Sequence, residues 1–321
     1  MSKLDDLNAW RLFSSLCKTR NFSDTAGEFD VEVSTVSRAV SSLENALGQT
    51  LILRGTRPLQ LTESGKTAYE QVTHILEQHQ EMIKELTKST AGLSGKIRLS
   101  LAPGSVAMYI PMLMEFNSMY PEIVFDISGG GSVQDILQYK SDIAVVSFKS
   151  SDPHLLNFSR GRNVYVPVAS PKYIEANGFP LHPSDLSSHT VLIYDGTVRP
   201  ATKMLENQEL SEEVRWKQVL KVSNIVAIKK SVLDGLGVSV DLPLIHCAQE
   251  IATGKLVPIL PGWVHTPVQC FLCTSKANWR IRRHRVFLQW FQPKLIDFFK
   301  SKEELVAPFW KVPEQTVTHE V

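Results

Sequence analysis

Apolar residues recur at one period in the leading part of this chain and at another in the remainder, and the change falls at a break between Gly92 and Gly95. Before the break the steps are three and four residues, as on one face of a helix. After it, strand-like runs take turns with helical ones. A chain with both patterns needs two cores, and 321 residues allow them at roughly 150 residues per domain. The expected architecture is a helical leading domain, a connector, and an α/β domain of strand-helix-strand units with a mostly parallel sheet.

In residues 5–65, Leu7, Trp10, Phe13, Leu16 and Cys17 form one apolar stripe on a first helix. Ser23 is positioned to cap a short second helix held by Ala26 and Phe29 and closed by Asp30. Ser34 is positioned to cap a third, with Val36, Val40, Leu43 and Leu47 inward and Thr35, Ser37, Arg38 and Ser41 outward, stopped at Gly48. Residues 51–62 then read as two short strands around a tip containing Arg54 and Arg57. Two helices joined by a tight turn and followed by a cationic hairpin suit DNA: an exposed helix for the major groove and a wing for the flanking phosphates.

Residues 66–91 contain neither Pro nor Gly and predict one helix about 40 Å long. Ala68, Val72, Ile75, His79, Met82 and Leu86 alternate four- and three-residue steps, with Tyr69, Leu76 and Ile83 beside them. So broad a stripe needs a partner, either the chain's own second domain or another copy.

Past the break, residues 97–101, 123–128 and 142–148 predict strands. Between them lie a helix opened by Gly104 and Ser105, carrying Ile110, Leu113 and Phe116, and a shorter one over residues 132–139.

An ordered set of residues in the leading domain resembles the LysR-type transcriptional regulators. It runs Phe13, Asn21, Phe22, Ser23, Thr25, Ala26, Phe29, Val31, Ser34, Val36, Ser37, Arg38, Val40, Leu43, Glu44, Leu47, Gly48, Leu51, Arg54, Leu59, Leu61, Thr62, Glu63 and Gly65. A looser continuation includes Phe116, Tyr120, Pro121, Asp142, Ala144, Pro171, Tyr173, Gly178, Gly235, Gly237, Gly254 and Leu260. The resemblance implies an N-terminal winged helix-turn-helix over residues 1–65 with its recognition helix at 34–47, and a dimerising linker helix over 66–91. It further implies, over residues 92–300, a two-lobed, periplasmic-binding-protein-like α/β regulatory domain, with residues 301–321 a C-terminal extension. Lobe I would hold residues 92–165 and 268–300, lobe II residues 166–267, with crossovers near 164–170 and 266–273.

On that resemblance the chain is a sequence-specific regulator of transcription that binds double-stranded DNA at an operator or promoter, as a homodimer or homotetramer. Ser34, Thr35, Ser37, Arg38, Arg54 and Arg57 would touch DNA; Val72, Ile75, His79, Met82 and Leu86 would form the seam. A small anionic or polar effector would lie beyond the strand C-termini, where helix openings offer N–H groups. The candidates are Gly104, Ser105, Gly131, Ser132, Ser147, Phe148, Ser223, Asn224 and Ile225, each of which is also explicable as a helix cap or turn. Two departures bear on specificity: Glu32 and Val33 precede the recognition-helix serine where the family often has Thr and Gln. Valine makes no hydrogen bond to a base edge, and glutamate favours cytosine amino groups while repelling phosphate.

Formal net charge is +1, so any DNA affinity is local; residues 1–66 hold as many acidic as basic side chains. No apolar run reaches the roughly 18 residues of a membrane span, and Asp5 and Asp6 stand where an export signal would be basic, so a cytoplasmic location is expected. Cys17, Cys247, Cys270 and Cys273 are too sparse for a disulfide framework, and a strand would send Cys270 and Cys273 to opposite faces, disfavouring metal or redox work. Gly129 to Ser132 lack the lysine of a phosphate loop. The basic run at 280–285 leads into Phe287, Phe291 and Leu295 at helical spacing, and reads as the start of a packed helix. No cofactor or metal is expected. The competing reading, a metabolic enzyme or solute-binding protein on the same α/β lobes, lacks a nucleophile, base and orienting group that can be picked out.

Overall fold

Asp6 starts the first helix, its carboxylate accepting the N–H groups of Asn8 and Ala9 at 2.9 and 3.3 Å, and α1 (Leu7–Thr19) follows. The computed structural model describes residues 3–53, 55, 58–87, 93–208, 210–314 and 317. It divides into two units, residues 1–92 with 138–140, and the remainder.

In the first unit, α2 (Phe22–Phe29) is capped by Asn21, whose side chain accepts from Ser23 N–H, and not by Ser23 as the sequence suggested. Asn21, two residues earlier, has the extended backbone that a cap requires. The third helix, α3 (Val33–Leu47), opens behind Glu32 without any side-chain cap, so Ser34 lies inside the helix and its oxygens instead accept from Arg38. Phe13, Leu16, Val36, Val40 and Leu43 are fully buried together, whereas Leu47, expected inward, is exposed where the helix runs past the core. β1 (Ile52–Leu53) pairs antiparallel with β2 (Gln60–Leu61). Glu44 fastens this hairpin to α3 by accepting from the N–H groups of Leu51 and Ile52 at 2.8 and 3.1 Å. Thr62 then caps α4 (Glu63–Thr87) through Gly65 N–H, so the long helix starts three residues before Lys66.

The second unit runs β3 (Gly95–Leu101), α5 (Val106–Met119), β4 (Ile123–Gly129), α6 (Gln134–Leu137), β5 (Ile143–Val146), β6 (Leu155–Asn163) and β7 (Tyr165–Ala169). After α7 (Pro171–Asn177) come β8 (Thr190–Tyr194), β9 (Met204–Asn207), β10 (Leu210–Glu213), β11 (Gln218–Val222), α8 (Ile225–Leu233), β12 (Ser239–Pro243), α9 (Leu244–Ala252) and β13 (Val257–Pro258). β14 (Val268–Ser275), α10 (Lys276–Arg280) and α11 (Arg282–Val306) complete it.

The first lobe is a five-stranded sheet in the order β4-β3-β5-β14-β6. β4, β3, β5 and β6 share one direction and β14 alone runs antiparallel to its neighbours, so the sheet is mostly parallel with one reversed strand inserted. The reason is topological: β14 re-enters from the second lobe and arrives against the outgoing direction. The second lobe carries β7 between antiparallel β12 and β13, beside the parallel pair β8 and β11. Tyr109, Leu113, Phe116, Phe287 and Phe291 fill the first core, Tyr109 taking the inward place expected of Ile110, which is exposed.

A division at residue 300 falls inside α11, which is continuous from Arg282 to Val306. Its leading half packs in the first lobe, while Val306 and Trp310 are buried in the core of the second with Val166, Leu242 and Leu256. The segment 301–310 is thus a structural part of the second unit. Arg162, next to the crossing from β6 to β7, holds Glu303 by a two-pronged ion pair at 2.7 and 3.0 Å. Within the basic run, Arg283 and His284 are buried, and Arg283 donates to Lys96 O at 2.7 Å.

Candidate ligand cleft and nucleic-acid interface

Because β3, β4 and β5 are parallel, their carboxyl ends share one edge of the first lobe, and the chain leaves each with a tight turn. After β3, Gly104 and Ser105 lead into α5; after β4 comes Gly131; after β5, Ser147 and Phe148. Gly131 has φ +59°, and a Cβ on it would stand 2.9 Å from Ala102 N, so only glycine lets these two turns approach. From the second lobe, Ser223, Asn224 and Ile225 close the arrangement at the start of α8, where Asn224 caps the helix by accepting from Val226 and Ala227.

These turns enclose a cavity of about 530 Å³ lined by Gly104, Ser105, Gly131, Ser147, Phe148, Ser223, Asn224 and Ile225. Ser132 is a correction: it is not in the lining. Its hydroxyl accepts from Gln134 N–H and its own N–H points to Ser100 Oγ, so it serves the α6 turn instead.

Sequence reasoning missed the charged part of the lining, which also includes Tyr109, Arg160, Asn163, Tyr165, Tyr194, Arg199 and His246. Arg199 is bound to the fully buried Asp241 at 2.8 Å, donates to Thr202 and lies over the Tyr165 and Tyr194 rings. Arg160, only 4% exposed, donates to Phe271 O, Val146 O and Tyr109 Oη and faces the Phe299 ring. Burial raises the Tyr109 and Tyr165 phenols, Tyr165 to about 12 against the opposing pull of Arg199, so these two are neutral. Burial, with Lys229 adding to it, lowers His246 to about 4, leaving a neutral imidazole. The available signal was polar Arg160 and Asn163 on a strand leading into an otherwise apolar crossing.

In the first unit, Ser34 and Arg38 are exposed on α3, and Thr35 and Ser37 are partly exposed beside them. Arg54 and Arg57 lie outside the described residues. The seam divides. Val72 is 6% exposed and buried with Phe13, Leu16 and Val40, with Ala68 and Leu76 packed on the same core. It therefore faces its own domain, correcting its assignment to a subunit seam. Ile75 and Met82 are 51% and 48% exposed, and His79 meets Arg11 at 3.3 Å. The Leu86 side chain lies outside the described residues. Among the described residues, no cluster of His, Cys, Asp or Glu is placed to hold a metal ion, and no helix is long and apolar enough to cross a membrane. Cys270 and Cys273 are both buried, and burial raises the Cys273 thiol to about 12.

Residues 7–66 match the bacterial regulatory helix-turn-helix proteins of the lysR family, and residues 90–295 match the LysR substrate binding domain. The chain is 28% identical over 291 residues to an uncharacterized HTH-type transcriptional regulator, YhjC, of Escherichia coli strain K12, a match spanning 89% of this chain and 97% of that relative. Among solved structures it is similar to CrgA, a LysR-type transcriptional regulator from Neisseria meningitidis, with a TM-score of 0.58 and 23% identity over 90% of this chain and 98% of that one. ArgP from Mycobacterium tuberculosis gives a TM-score of 0.62 at 16% identity, covering 92% of this chain and 96% of the other. At these identities the two structural likenesses concern the fold alone.

Proposed function

The chain belongs to the LysR family of DNA-binding transcriptional regulators, and from that premise we propose how its own residues divide the work of reading DNA and sensing an effector. Family members are regulators and not enzymes, with a helix-turn-helix domain and an effector-binding domain.

Ser34, Thr35, Ser37 and Arg38 on α3 meet base edges and phosphates of double-stranded DNA in the major groove, with Arg54 and Arg57 on the flanking backbone. The protein works in the cytoplasm. Two copies pair along the exposed face of α4 that carries Ile75 and Met82, and such pairs can join as tetramers. A single leading domain with balanced charge makes too few phosphate contacts to bind well, and two half-sites supply the missing affinity. A small effector binds between the lobes and shifts the balance of two arrangements of the assembly through unequal affinity for them.

The observation that carries this reading is the gathering of Gly104, Ser105, Gly131, Ser147 and Asn224, from separate stretches of chain, around one cavity. Genomic footprinting identifies the operator, and a mobility-shift titration then compares the parent with Arg38→Ala. Affinity is expected to fall by about 1 to 3 kcal/mol at that site. Unchanged operator affinity would remove Arg38 from the DNA-reading face.

A further inference from the structure

Arg160 and Arg199 look alike in sequence, yet they stand differently in the cleft. Arg199 spends its charge on Asp241 and is neutralised in place. Arg160 has no carboxylate partner among the described residues; its recorded acceptors are two backbone carbonyls and a neutral phenol. A guanidinium has five N–H donors. Three are used here, and two remain on a side chain that lines the cavity. A cation withheld from water without a counter-ion is costly, and a bound anion removes that cost.

A second group in the same wall lacks a partner of the opposite kind. Asn163 is 9% exposed and its Nδ2 donates to Ser147 Oγ at 3.1 Å, but its Oδ1 is buried with no hydrogen-bond partner. That oxygen accepts only. The lining holds no Asp or Glu to balance a ligand ammonium, so the group that satisfies Oδ1 is an uncharged O–H or N–H. Tyr165, Tyr194, Val198, Ile225 and Ile245 supply apolar and aromatic surface for the rest of the molecule. The volume falls in the range of roughly 300 to 1,000 Å³ common for small-molecule sites.

We propose that the cleft takes a carboxylate that also bears a hydroxyl or neutral N–H donor, a hydroxy acid in its simplest form, with Arg160 holding the carboxylate and Asn163 Oδ1 accepting the donor. This rests on the reading of the cleft as the effector site. Arg160 supplies the binding energy for the charge, and Asn163 supplies discrimination between hydroxylated acids and their deoxy analogues, because a deoxy ligand leaves Oδ1 unpaired.

The test is a thermal-stability titration of the full chain at matched ionic strength with four probes: lactate, propionate, lactamide and 1-amino-2-propanol. Stabilisation by lactate is expected, with propionate about tenfold weaker and the uncharged and cationic probes without effect. Arg160→Gln should weaken lactate about tenfold or more. Because Arg160 also holds two carbonyls, Asn163→Leu is the independent variant: it should erase the lactate preference over propionate while propionate binding persists. No carboxylate-dependent rise in the parent, a rise that survives Arg160→Gln, or a lactate preference that survives Asn163→Leu overturns the proposal. Stabilisation by lactamide or the amine, abolished by Ser105→Phe, would overturn the carboxylate assignment and keep the cleft as the effector site. Carboxylate stabilisation that Ser105→Phe and Arg160→Gln both leave intact would overturn both.

Discussion

Gly104 of the first lobe meets Ile225 of the second so closely that a Cβ on the glycine would stand 2.3 Å from Ile225 Cγ2. Both residues line the cleft, and here the two lobes meet through a glycine hydrogen and a methyl group. Either Ile225 withdraws or the lobes part when this position gains a side chain. Gly104→Val should therefore lower stability by about 1 to 3 kcal/mol, and Ile225→Ala in the same chain should restore part of the loss. Thermal denaturation of the parent, both single variants and the double variant reads the coupling; simple additivity would show that the two residues do not share this contact.

On α4 the two sides of one apolar stripe should respond differently to charge. Ile75→Glu with Met82→Glu places carboxylates on exposed positions, so the leading domain should stay folded while the assembly falls to monomers and tight operator binding is lost. Val72→Glu buries a charge in the core with Phe13 and should unfold that domain. Light scattering and circular dichroism separate the outcomes, and an intact dimer of the Ile75 and Met82 variant would place the seam elsewhere.

Truncation after residue 300 removes Val306 and Trp310 from the core of the second lobe and Glu303 from Arg162. Loss of two large buried side chains should cost several kcal/mol, on the order of 3 to 5 for the tryptophan alone. Calorimetry is expected to show a regulatory unit that melts early or fails to fold; a chain ending at 300 with the parent melting temperature would contradict the packing.

His284 is fully buried, and burial lowers it from 6.5 to about 4, with Arg283 adding to the shift and Asp142 opposing it. Its folded-state value lies below its unfolded one, so between them the unfolded chain binds more protons. This contribution to stability is full above about 6.5 and is lost as the pH falls toward 4, amounting to at most about 3 kcal/mol. Denaturant melts from pH 7 to 4 should show a steeper loss in the parent than in His284→Gln. Equal slopes would assign the acid sensitivity to other groups.

Local pattern determined much of this protein. Three- and four-residue steps set α1 to α4, Gly48 ended α3 at φ +64°, and the turns at Gly104, Gly131 and Asn224 were legible because a strand followed by glycine or asparagine and a helix is a local signal, whereas Ser147 leads from β5 to β6 with no helix between. Those readings needed only neighbours a few residues away. Periodicity does not say which side of an apolar helix meets its own domain, so Val72 and Ile75 looked equivalent until the packing of α4 on α1 separated them. Nor does sequence say which arginine is neutralised. Arg199 finds Asp241 some forty positions away and Arg160 finds no carboxylate among the described residues, because charge compensation acts through distances that exist only after the chain has folded. The elements were decided by short-range periodicity, and the chemistry of the cleft by long-range pairing.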